Sequence, residues 1–488
     1  MKTGAAKLVK WACGAEESGA GGGPSEGWNC YSMKDNPTMV MAARPSFGQE
    51  GVATLRLAVP LVFGQLAQML MGVVDTVMVG RLGTVPLAAA AFANTLLMVP
   101  LVFGVGLLSS VSMRTAQAGG SGDKETGRTA LRNGVGLAVG LALLGVVGFA
   151  LLLPVLGWFG QAPEVTAATP VYLTTCACSL LPALLGMALK NHADALNAPW
   201  IPLWIMMGGV GLNAVLNWFW IYGYAGFPAC GLEGTGYATL VSRIAVTAGL
   251  FWWMRGSVRL RDWMPQHWGR GGGGPSGMMG LLRLGLPAGL HLLAEVSIFM
   301  VAALMVGTLG VVPMAAHQIT VICASVTFMV PLGIAMAVTV RVGELTGAGE
   351  IHRCRTVLLG GWSFGWLASL GSMALFFGLG REVAWQFVKD AAVVEMAVPL
   401  LIVAGFFQLG DATQVISAGA LRGVHDVRVP ALLACGIYWG VAVPLSWALA
   451  FPMGQGAQGV WIGLAAGLGV AGVLLGRRAW VKLGVDQL

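Results

Sequence analysis

Twelve apolar stretches, each of about 20 residues or more, recur along this chain from Leu55 onward. Each is long enough to cross a hydrocarbon core of about 30 Å as a helix, because a helix rises about 1.5 Å per residue. Only 10% of the 488 residues are charged, against about 25% in soluble domains. The pattern excludes a soluble protein and predicts an all-α polytopic membrane protein with twelve transmembrane helices. The predicted spans are roughly 55–80, 86–113, 131–157, 165–189, 200–223, 234–254, 278–306, 312–340, 356–379, 392–421, 429–451 and 457–476.

The spans form two sets of six, so we predict two lobes at residues 55–254 and 278–476. The segment 255–277 between them is the longest polar connection and contains four consecutive glycines, which is typical of a flexible linker. Residues 1–54 have no continuous apolar core of a signal peptide and are predicted to be a disordered tail. Residues 477–488 form the C-terminal tail. Several methionines in the first tail leave the start of translation open.

The basic residues predict the orientation of the chain. With the N-terminus inside and alternating sides, only Arg81, Arg381 and Lys389 face outward, and only Arg243 lies deep inside a span. The other 24 of the 28 Lys and Arg residues lie at cytoplasmic positions, as the positive-inside rule requires. Both termini are therefore predicted to be cytoplasmic, and the net charge of +7 requires no nucleic-acid partner.

The two lobes repeat each other with an offset of 227 residues. The segment Leu55-Arg56-Leu57 with Pro60 matches Leu282-Arg283-Leu284 with Pro287, and the Leu82-Gly83 pair matches Leu309-Gly310. Six spans per lobe is an even number, so the lobes have the same orientation and an axis along the membrane normal relates them. Parallel repeats with a cleft between them are a transporter architecture, although a repeat alone does not exclude a scaffold.

Three carboxyl side chains lie well inside the spans: Asp75, Glu295 and Asp411. Counted along the helices, Glu295 and Asp411 lie near mid-membrane, roughly 16 to 18 Å from the cytoplasmic ends, and Asp75 lies about 12 Å from the outer end. An unpaired charge there costs at least about 2.5 kcal/mol, so such residues usually face a cavity and bind ions or protons. We predict that these three residues couple transport to a cation, since a buried carboxyl holds a proton or, given oxygen ligands, Na⁺. The alternative is a structural carboxyl in a hydrogen-bond network or a static ion pair.

Four further polar residues are placed to support these carboxyls. His291 lies one turn before Glu295, where it relays a proton or is simply a neutral hydrogen-bonded histidine. Asn213 and Asn217 lie one turn apart and either join Asp75 in a polar network or only hold helices together. Arg243 has a depth that suits an ion pair with Asp75.

Pro60 lies early in the first span, where it removes a helix hydrogen bond and predicts a bend that is either a hinge or a fixed kink.

The sequence has no Walker A and no H-E-x-x-H motif, and the eight cysteines contain no C-x-x-C pair. We therefore predict no enzyme activity, no ATP use, no resident metal and no cofactor besides a coupling ion.

Taken together, four groups of residues resemble the multidrug and toxic compound extrusion (MATE) family, in its bacterial NorM-like branch, from about Leu55 to the C-terminus. They are Gly72-Val73-Val74-Asp75-Thr76-Val77-Met78, Leu212-Asn213 with Leu216-Asn217-Trp218, Ala315-Ala316-His317-Gln318, and Asp411-Ala412-x-Gln414-Val415 with Gly419-x-Leu421-Arg422-Gly423.

The resemblance implies a two-lobed, V-shaped transporter with a central cleft, in which a cation gradient drives export of organic cations and drugs by alternating access. It also implies that Asp75 takes part in protonation and bending of the first span at Pro60, and that Glu295 and Asp411 bind the coupling cation. One position departs from the family pattern: Phe407 stands where some members have a tyrosine ligand for Na⁺. A Na⁺ site at Glu295 and Asp411 is weakened by this change, and H⁺ coupling is favoured.

Two other functions remain open at this stage. A flippase for lipid-linked saccharides would need a basic cavity for anionic headgroups, whereas the deep ionisable residues here are mostly acidic. A non-transporting membrane scaffold would have no need of three buried acids. The expected partners are small organic cations or drugs and the lipid bilayer, and the expected location is a bacterial inner membrane, where the protein is expected to be a monomer.

Overall fold

The structure is a computed structural model that describes residues 47–226, 228–268 and 277–484. Within these ranges every regular element is helical. The first lobe contains α1 (Phe47–Gly80), α2 (Thr84–Ser121), α3 (Lys124–Leu152), α4 (Pro163–Cys178), α5 (Leu180–Ala195), α6 (Trp200–Tyr222) and α7 (Gly231–Gly256). The second lobe contains α8 (Met278–Gly307), α9 (Val311–Gly347), α10 (Cys354–Phe387), α11 (Ala391–Gly423), α12 (Arg428–Ile437), α13 (Val443–Ala450) and α14 (Gly456–Lys482).

The long helices confirm the all-α polytopic membrane fold. Among the described residues, eleven helices are long and apolar enough to cross a membrane; α4 and α5 count as one of them, and so do α12 and α13. The twelfth predicted span is α7, which is equally long but carries Glu233 and Arg255 near its ends and Arg243 midway.

Three predicted boundaries differ from the structure. Residues 1–46 of the predicted tail 1–54 lie outside the described residues. The rest of that tail is not a tail, since α1 begins at Phe47. Glu50, in the first turn of α1, is buried in ion pairs instead of being solvated. In the predicted linker 255–277, residues 269–276 lie outside the described residues, while Leu260 and Met264 pack into the first lobe. The predicted C-terminal tail 477–488 begins as helix, since α14 continues to Lys482.

Local sequence signals explain where several helices begin. The turn before α2 and the turn before α9 both contain a glycine at φ 121°, Gly83 and Gly310, which is a backbone conformation that favours glycine. Helix α3 begins after Asp123, whose side chain accepts a hydrogen bond from the Thr126 backbone N–H at 3.1 Å. The same glycine turn therefore joins α1 to α2 in the first lobe and α8 to α9 in the second.

The two lobes contact each other near one side of the membrane. We call the side that carries most Lys and Arg residues, including Arg114 and Arg341, the basic side, and the opposite side the far side. A Cβ on Gly120 of α2 would overlap the Glu344 carbonyl of α9, and a Cβ on Gly347 of α9 would overlap the Gln117 carbonyl of α2. These two contacts are reciprocal at the 227-residue offset of the repeat, as a two-fold axis along the membrane normal produces.

A second reciprocal pair of contacts lies deeper in the basic half. A Cβ on Gly106 of α2 would overlap Gly289 of α8, and one on Gly333 of α9 would overlap Val62 of α1. Gly289 and Val62 are equivalent positions of the repeat, and so are Gly106 and Gly333. The lobes are therefore joined backbone to backbone in the basic half.

Ion pairs reinforce this junction at its edge. The buried carboxylate of Glu50 in α1 accepts hydrogen bonds from Arg341 of α9 at 2.9 Å and from Arg353, just before α10, at 2.7 Å. Arg341 and Arg353 each also pair with a glutamate three residues away in their own lobe, Glu344 and Glu350. Glu50 thus ties the first lobe to two arginines of the second.

Candidate functional site

The first-lobe carboxyl, Asp75 of α1, lies where α1, α6 and α7 meet. Its Oδ1 accepts a hydrogen bond from Asn217 Nδ2 at 2.7 Å, and its Oδ2 accepts one from the Thr239 hydroxyl at 3.2 Å. Asn217 also donates to Asn213 Oδ1 at 3.2 Å, and both asparagines are fully buried. The structure thus places both predicted asparagines beside Asp75; their role in coupling stays a prediction.

Thr239 was not predicted from the sequence. A threonine inside an apolar helix usually donates its hydroxyl to the backbone of its own helix, so a threonine at this position does not by itself indicate a contact with Asp75. The available signal was its position, one turn before Arg243 in the only span with a deep basic residue.

Arg243 does not form the ion pair with Asp75 that its depth suggested. Its Nη1 donates instead to the Ser179 hydroxyl at 2.7 Å, at the junction of α4 and α5. No carboxylate lies within ion-pair distance of Arg243 among the described residues. Arg243 still interacts electrostatically with Asp75, at longer range.

The second-lobe carboxyls, Glu295 of α8 and Asp411 of α11, are 8% and 3% exposed and interact electrostatically with each other. His291 lies one turn before Glu295 and accepts a hydrogen bond from Gln414 Nε2 at 3.2 Å. A cavity of about 10 Å³ adjoins Glu295 and is lined in part by that residue, His291 and Gln414. That volume holds about one water molecule or small ion.

Tyr438, which sequence reasoning missed, is the fourth oxygen-bearing group of this site, after Glu295, Asp411 and Gln414. It begins a five-residue π-helical turn, Tyr438–Ala442, between α12 and α13, and is completely buried. Pro444 follows this turn and has no N–H to donate, which favours a local widening of the helix. Tyr438 interacts electrostatically with both Glu295 and Asp411.

Three buried oxygens of this site have no hydrogen-bond partner among the described residues: Asp411 Oδ1, Gln414 Oε1 and the Tyr438 hydroxyl. Buried polar atoms are normally satisfied, because an unsatisfied one costs about 1 to 3 kcal/mol. The three unpartnered oxygens, one of them on Asp411 itself, are groups that a proton or a hard cation could satisfy.

Phe407 and Arg422 complete the description of the second-lobe site. Phe407 packs edge-on against Phe299 and Trp461, with ring centres 5.9 Å and 5.8 Å apart, so it belongs to the core of the lobe. Arg422 lies in the last turn of α11, lines the small cavity together with Glu295 and interacts with that carboxyl electrostatically.

Pro60 lies within α1, which runs as one helix from Phe47 to Gly80. The predicted bend is therefore no break in the helix, and whether Pro60 acts as a hinge stays a prediction.

No group of three or more His, Cys, Asp or Glu side chains that would hold a metal ion occurs among the described residues.

Comparison with known proteins agrees with this geometry. The family model described as MatE matches residues 60–219 and 287–448, one match in each lobe, and the two matches begin at the equivalent prolines of the repeat. The chain is 37% identical over 455 residues to "Multidrug resistance protein NorM" of Burkholderia vietnamiensis, covering 91% of this chain and 97% of that protein. It is 38% identical over 441 residues to "Probable multidrug resistance protein NorM" of Bradyrhizobium diazoefficiens, covering 87% and 92%.

Solved structures share the fold. A multidrug resistance MATE family transporter in an outward-facing conformation superposes with a TM-score of 0.79 at 20% identity, covering 89% of this chain and 96% of that one. A eukaryotic MATE transporter superposes with a TM-score of 0.78 at 22% identity, covering 90% and 99%. Because the family match extends through both lobes and the bacterial relatives cover nearly the whole chain, this protein belongs to the MATE family, in its bacterial NorM-like branch, and is a membrane transporter and not an enzyme.

Proposed function

We propose that this transporter exports organic cations and drugs by antiport with H⁺ or Na⁺, using alternating access and no cofactor. The observation that carries the proposal is that each lobe has carboxyls inside its spans with no cationic partner at ion-pair distance among the described residues: the half-buried Asp75 in one, and the buried Glu295 and Asp411 in the other. The printed names of the bacterial relatives support drugs as the substrate class. We further infer an inner-membrane location with both termini and the basic side in the cytoplasm.

We infer that the structure represents the outward-facing state. The lobes are joined in the basic half by reciprocal glycine contacts and by Glu50, which closes the path to the cytoplasm. In this state a cation enters from outside and binds the carboxyls. The loaded protein then reorients, releases the cation inside, and recruits a substrate into the negatively charged cavity.

We propose that the ion at Asp75 is a proton. A single carboxylate, with both oxygens already accepting hydrogen bonds and Arg243 in electrostatic range, is a poor site for Na⁺. The buried Asn217 Oδ1 has no hydrogen-bond partner among the described residues, so a rotated amide offers an acceptor to the protonated carboxyl. Protonation removes the negative charge that attracts a cationic substrate, which makes the two ligands compete.

The second-lobe site has features that suit Na⁺ and features that suit H⁺ as the coupling ion. The unpaired oxygens of Asp411, Gln414 and Tyr438 suit Na⁺, and Tyr438 supplies a hydroxyl that Phe407 does not. The two neighbouring acids suit H⁺, because one added proton relieves the repulsion between two carboxylates. We also propose that a monomer suffices, since both sites lie within one chain.

Ethidium uptake by proteoliposomes, in which the protein is inserted with its basic side facing the outer solution, tests the proposal. We expect uptake driven by an imposed pH gradient without Na⁺, and a Na⁺ gradient measured separately reports the second coupling ion. Asp75→Asn, Glu295→Gln and Asp411→Asn should each slow uptake by at least about tenfold, whereas Glu382→Gln, an exposed carboxyl on the far side, should leave it unchanged. Normal transport by all three variants would refute the mechanism, and movement of lipid-linked saccharides in place of ethidium would indicate a flippase.

A further inference from the structure

A groove of about 680 Å³ lies on the outer surface of the first lobe, between α3, α5 and α7. Its lining is almost entirely aliphatic and aromatic, and it is open to the side, since Ile244 is 50% exposed. Along α7 the groove extends from Leu240 to Trp252, which is roughly 18 Å of helix. One leaflet of a bilayer has a hydrocarbon depth of about 15 Å. The groove therefore has the length and the polarity to hold one lipid acyl chain.

Two tryptophans mark the end of the groove on the basic side. Trp252 lies one turn before the end of α7 and is 67% exposed. Trp268 lies beyond α7, and its ring packs against Phe251 with centres 6.1 Å apart. Tryptophan rings in membrane proteins are enriched at the level of the lipid headgroups. A lipid whose chain lies in the groove therefore has its headgroup beside these two rings.

Two arginines lie at the same end of the groove. Arg132 of α3 is one turn closer to the basic side than Val135, which lines the groove. Arg255 of α7 is one turn closer to the basic side than Trp252. The residue that precedes each arginine belongs to one and the same core cluster, so packing brings these two turns of α3 and α7 together.

The charges of these arginines are not neutralised by the protein. Neither Arg132 nor Arg255 forms an ion pair or a hydrogen bond in the part of the chain that the structure describes. Arg132 Nε is buried as well, and a buried donor without a partner is costly. The carboxylates of the adjoining turns are already paired, Asp262 with Lys124 at 2.9 Å and Glu125 with Arg128 at 3.4 Å.

We propose that this groove binds an anionic phospholipid, with an acyl chain along α5 and α7 and the phosphate at Arg132 and Arg255. A guanidinium matches a phosphate through parallel hydrogen bonds, and basic pockets between membrane helices select anionic headgroups. A zwitterionic phospholipid is the weaker ligand, because the two arginines repel its cationic group. The inference goes beyond the proposed function and is independent of the ion that drives transport.

A lipid in the groove contacts the packing between α5 and α7. Pro182 and Thr247 line the groove, and the Thr247 hydroxyl donates a hydrogen bond to the Pro182 carbonyl at 2.6 Å. An acyl chain that covers this contact holds the two helices together. Because a ligand that binds only the folded state stabilises it, the bound lipid should raise the unfolding temperature of the protein.

Native mass spectrometry of the purified full chain, titrated in detergent with dioleoyl phosphatidylglycerol or dioleoyl phosphatidylcholine, tests the headgroup site. We expect the first phosphatidylglycerol to bind at least about tenfold more tightly, because each arginine near the membrane surface strengthens binding of an anionic lipid about fivefold. Arg132→Gln combined with Arg255→Gln should remove this preference. The matched control is Arg56→Gln combined with Arg428→Gln, which removes two exposed basic-side arginines outside the groove.

Ala248→Trp tests the acyl-chain groove, because it fills the groove and leaves both arginines in place. We expect it to weaken binding of phosphatidylglycerol by at least about tenfold, since burial of each CH₂ group of the chain contributes about fourfold. Ala150→Trp, at an exposed position of α3 outside the groove, should bind like the wild type. Phosphatidylglycerol should raise the unfolding temperature of the wild type and of Ala150→Trp, but not that of Ala248→Trp.

Two sets of results would overturn the inference. Equal affinity of the wild type for the two lipids, or an unchanged preference in the double-arginine variant, would show that the arginines do not bind the headgroup. Unchanged binding by Ala248→Trp, or equally tight binding of dihexanoyl phosphatidylglycerol to the wild type, would show that charge alone attracts the lipid and that the groove holds no chain. These measurements use no ion gradient, so their results do not depend on the antiport mechanism.

Discussion

At the scale of single residues, the second-lobe site is defined by buried oxygens that have no hydrogen-bond partner among the described residues. Asp411, Gln414 and Tyr438 each bury an oxygen without a hydrogen bond among the described residues, whereas Asp75 in the first lobe has both oxygens satisfied. The two lobes of one repeat therefore present different chemistry at their acids. We attribute proton exchange to Asp75, and we attribute the choice between H⁺ and Na⁺ to the group formed by Asp411, Gln414 and Tyr438.

Tyr438→Phe is the sharpest residue-scale test of that choice. The substitution removes one unpaired oxygen and keeps the buried ring, so we expect any Na⁺-driven ethidium uptake to need about tenfold more Na⁺, with uptake driven by the pH gradient reduced less. Tyr222→Phe is the matched control, because the Tyr222 hydroxyl donates to the Met78 carbonyl in the first lobe, away from these acids. Unchanged Na⁺ dependence in Tyr438→Phe would show that the Tyr438 hydroxyl does not bind the coupling ion.

At the scale of helices, the N-terminal turn of α1 joins the first lobe to the second. Glu50 is 2% exposed and contacts Arg341 and Arg353, while Arg114, the repeat equivalent of Arg341, contacts only Gln117 among the hydrogen bonds of the described residues. The ion pairs at this junction are thus asymmetric although the glycine contacts are symmetric. Removing one partner of a buried ion pair leaves uncompensated charge, which is strongly destabilising.

Glu50→Gln is therefore expected to weaken closure on the basic side. With spin labels at Glu125 and His352, which are exposed and lie on different lobes, the wild type should show one short distance, and Glu50→Gln should raise the population of a longer distance by about tenfold. The control is Glu350→Gln, which removes a pair with Arg353 inside the second lobe only. An identical distance distribution in Glu50→Gln and the wild type would show that Glu50 does not hold the lobes together.

At the scale of the whole molecule, closure depends on backbones that touch across the two-fold axis. Gly120 contacts the Glu344 carbonyl, and Gly347 contacts the Gln117 carbonyl in the same way. Any side chain at either glycine must push the lobes apart. Because both contacts are formed together when the lobes close, either substitution should block the same conformational step.

We accordingly expect Gly120→Leu and Gly347→Leu each to abolish most ethidium uptake while the protein is still inserted and purified as a monodisperse species. Gly140→Leu serves as the control, since a Cβ at Gly140 meets no atom within 4 Å. Full activity of Gly120→Leu would mean that the basic-side contact is not part of the transport cycle.

Much of the fold and part of the site could be predicted because they depend on properties of single segments. The length of the apolar stretches predicts the helices, and the cost of a buried charge singles out Asp75, Glu295 and Asp411 wherever their partners lie. Helix periodicity places Asn213 beside Asn217 and His291 beside Glu295. Tyr438 and Thr239 were missed because an apolar helix gives no sign of which of its hydroxyls faces a neighbour.

The sequence by itself thus determined the helical membrane fold, the two-fold repeat and the identity of the deep acids, since each follows from transfer free energies and spacing within one segment. Only the tertiary structure decided which groups meet. The partners of Asp75 come from helices 142 and 164 residues away along the chain, the Tyr438 hydroxyl depends on a π turn before Pro444, and Arg243 bonds Ser179 and not Asp75. Contacts between distant helices depend on how side chains pack, and one linear sequence leaves several such arrangements equally possible.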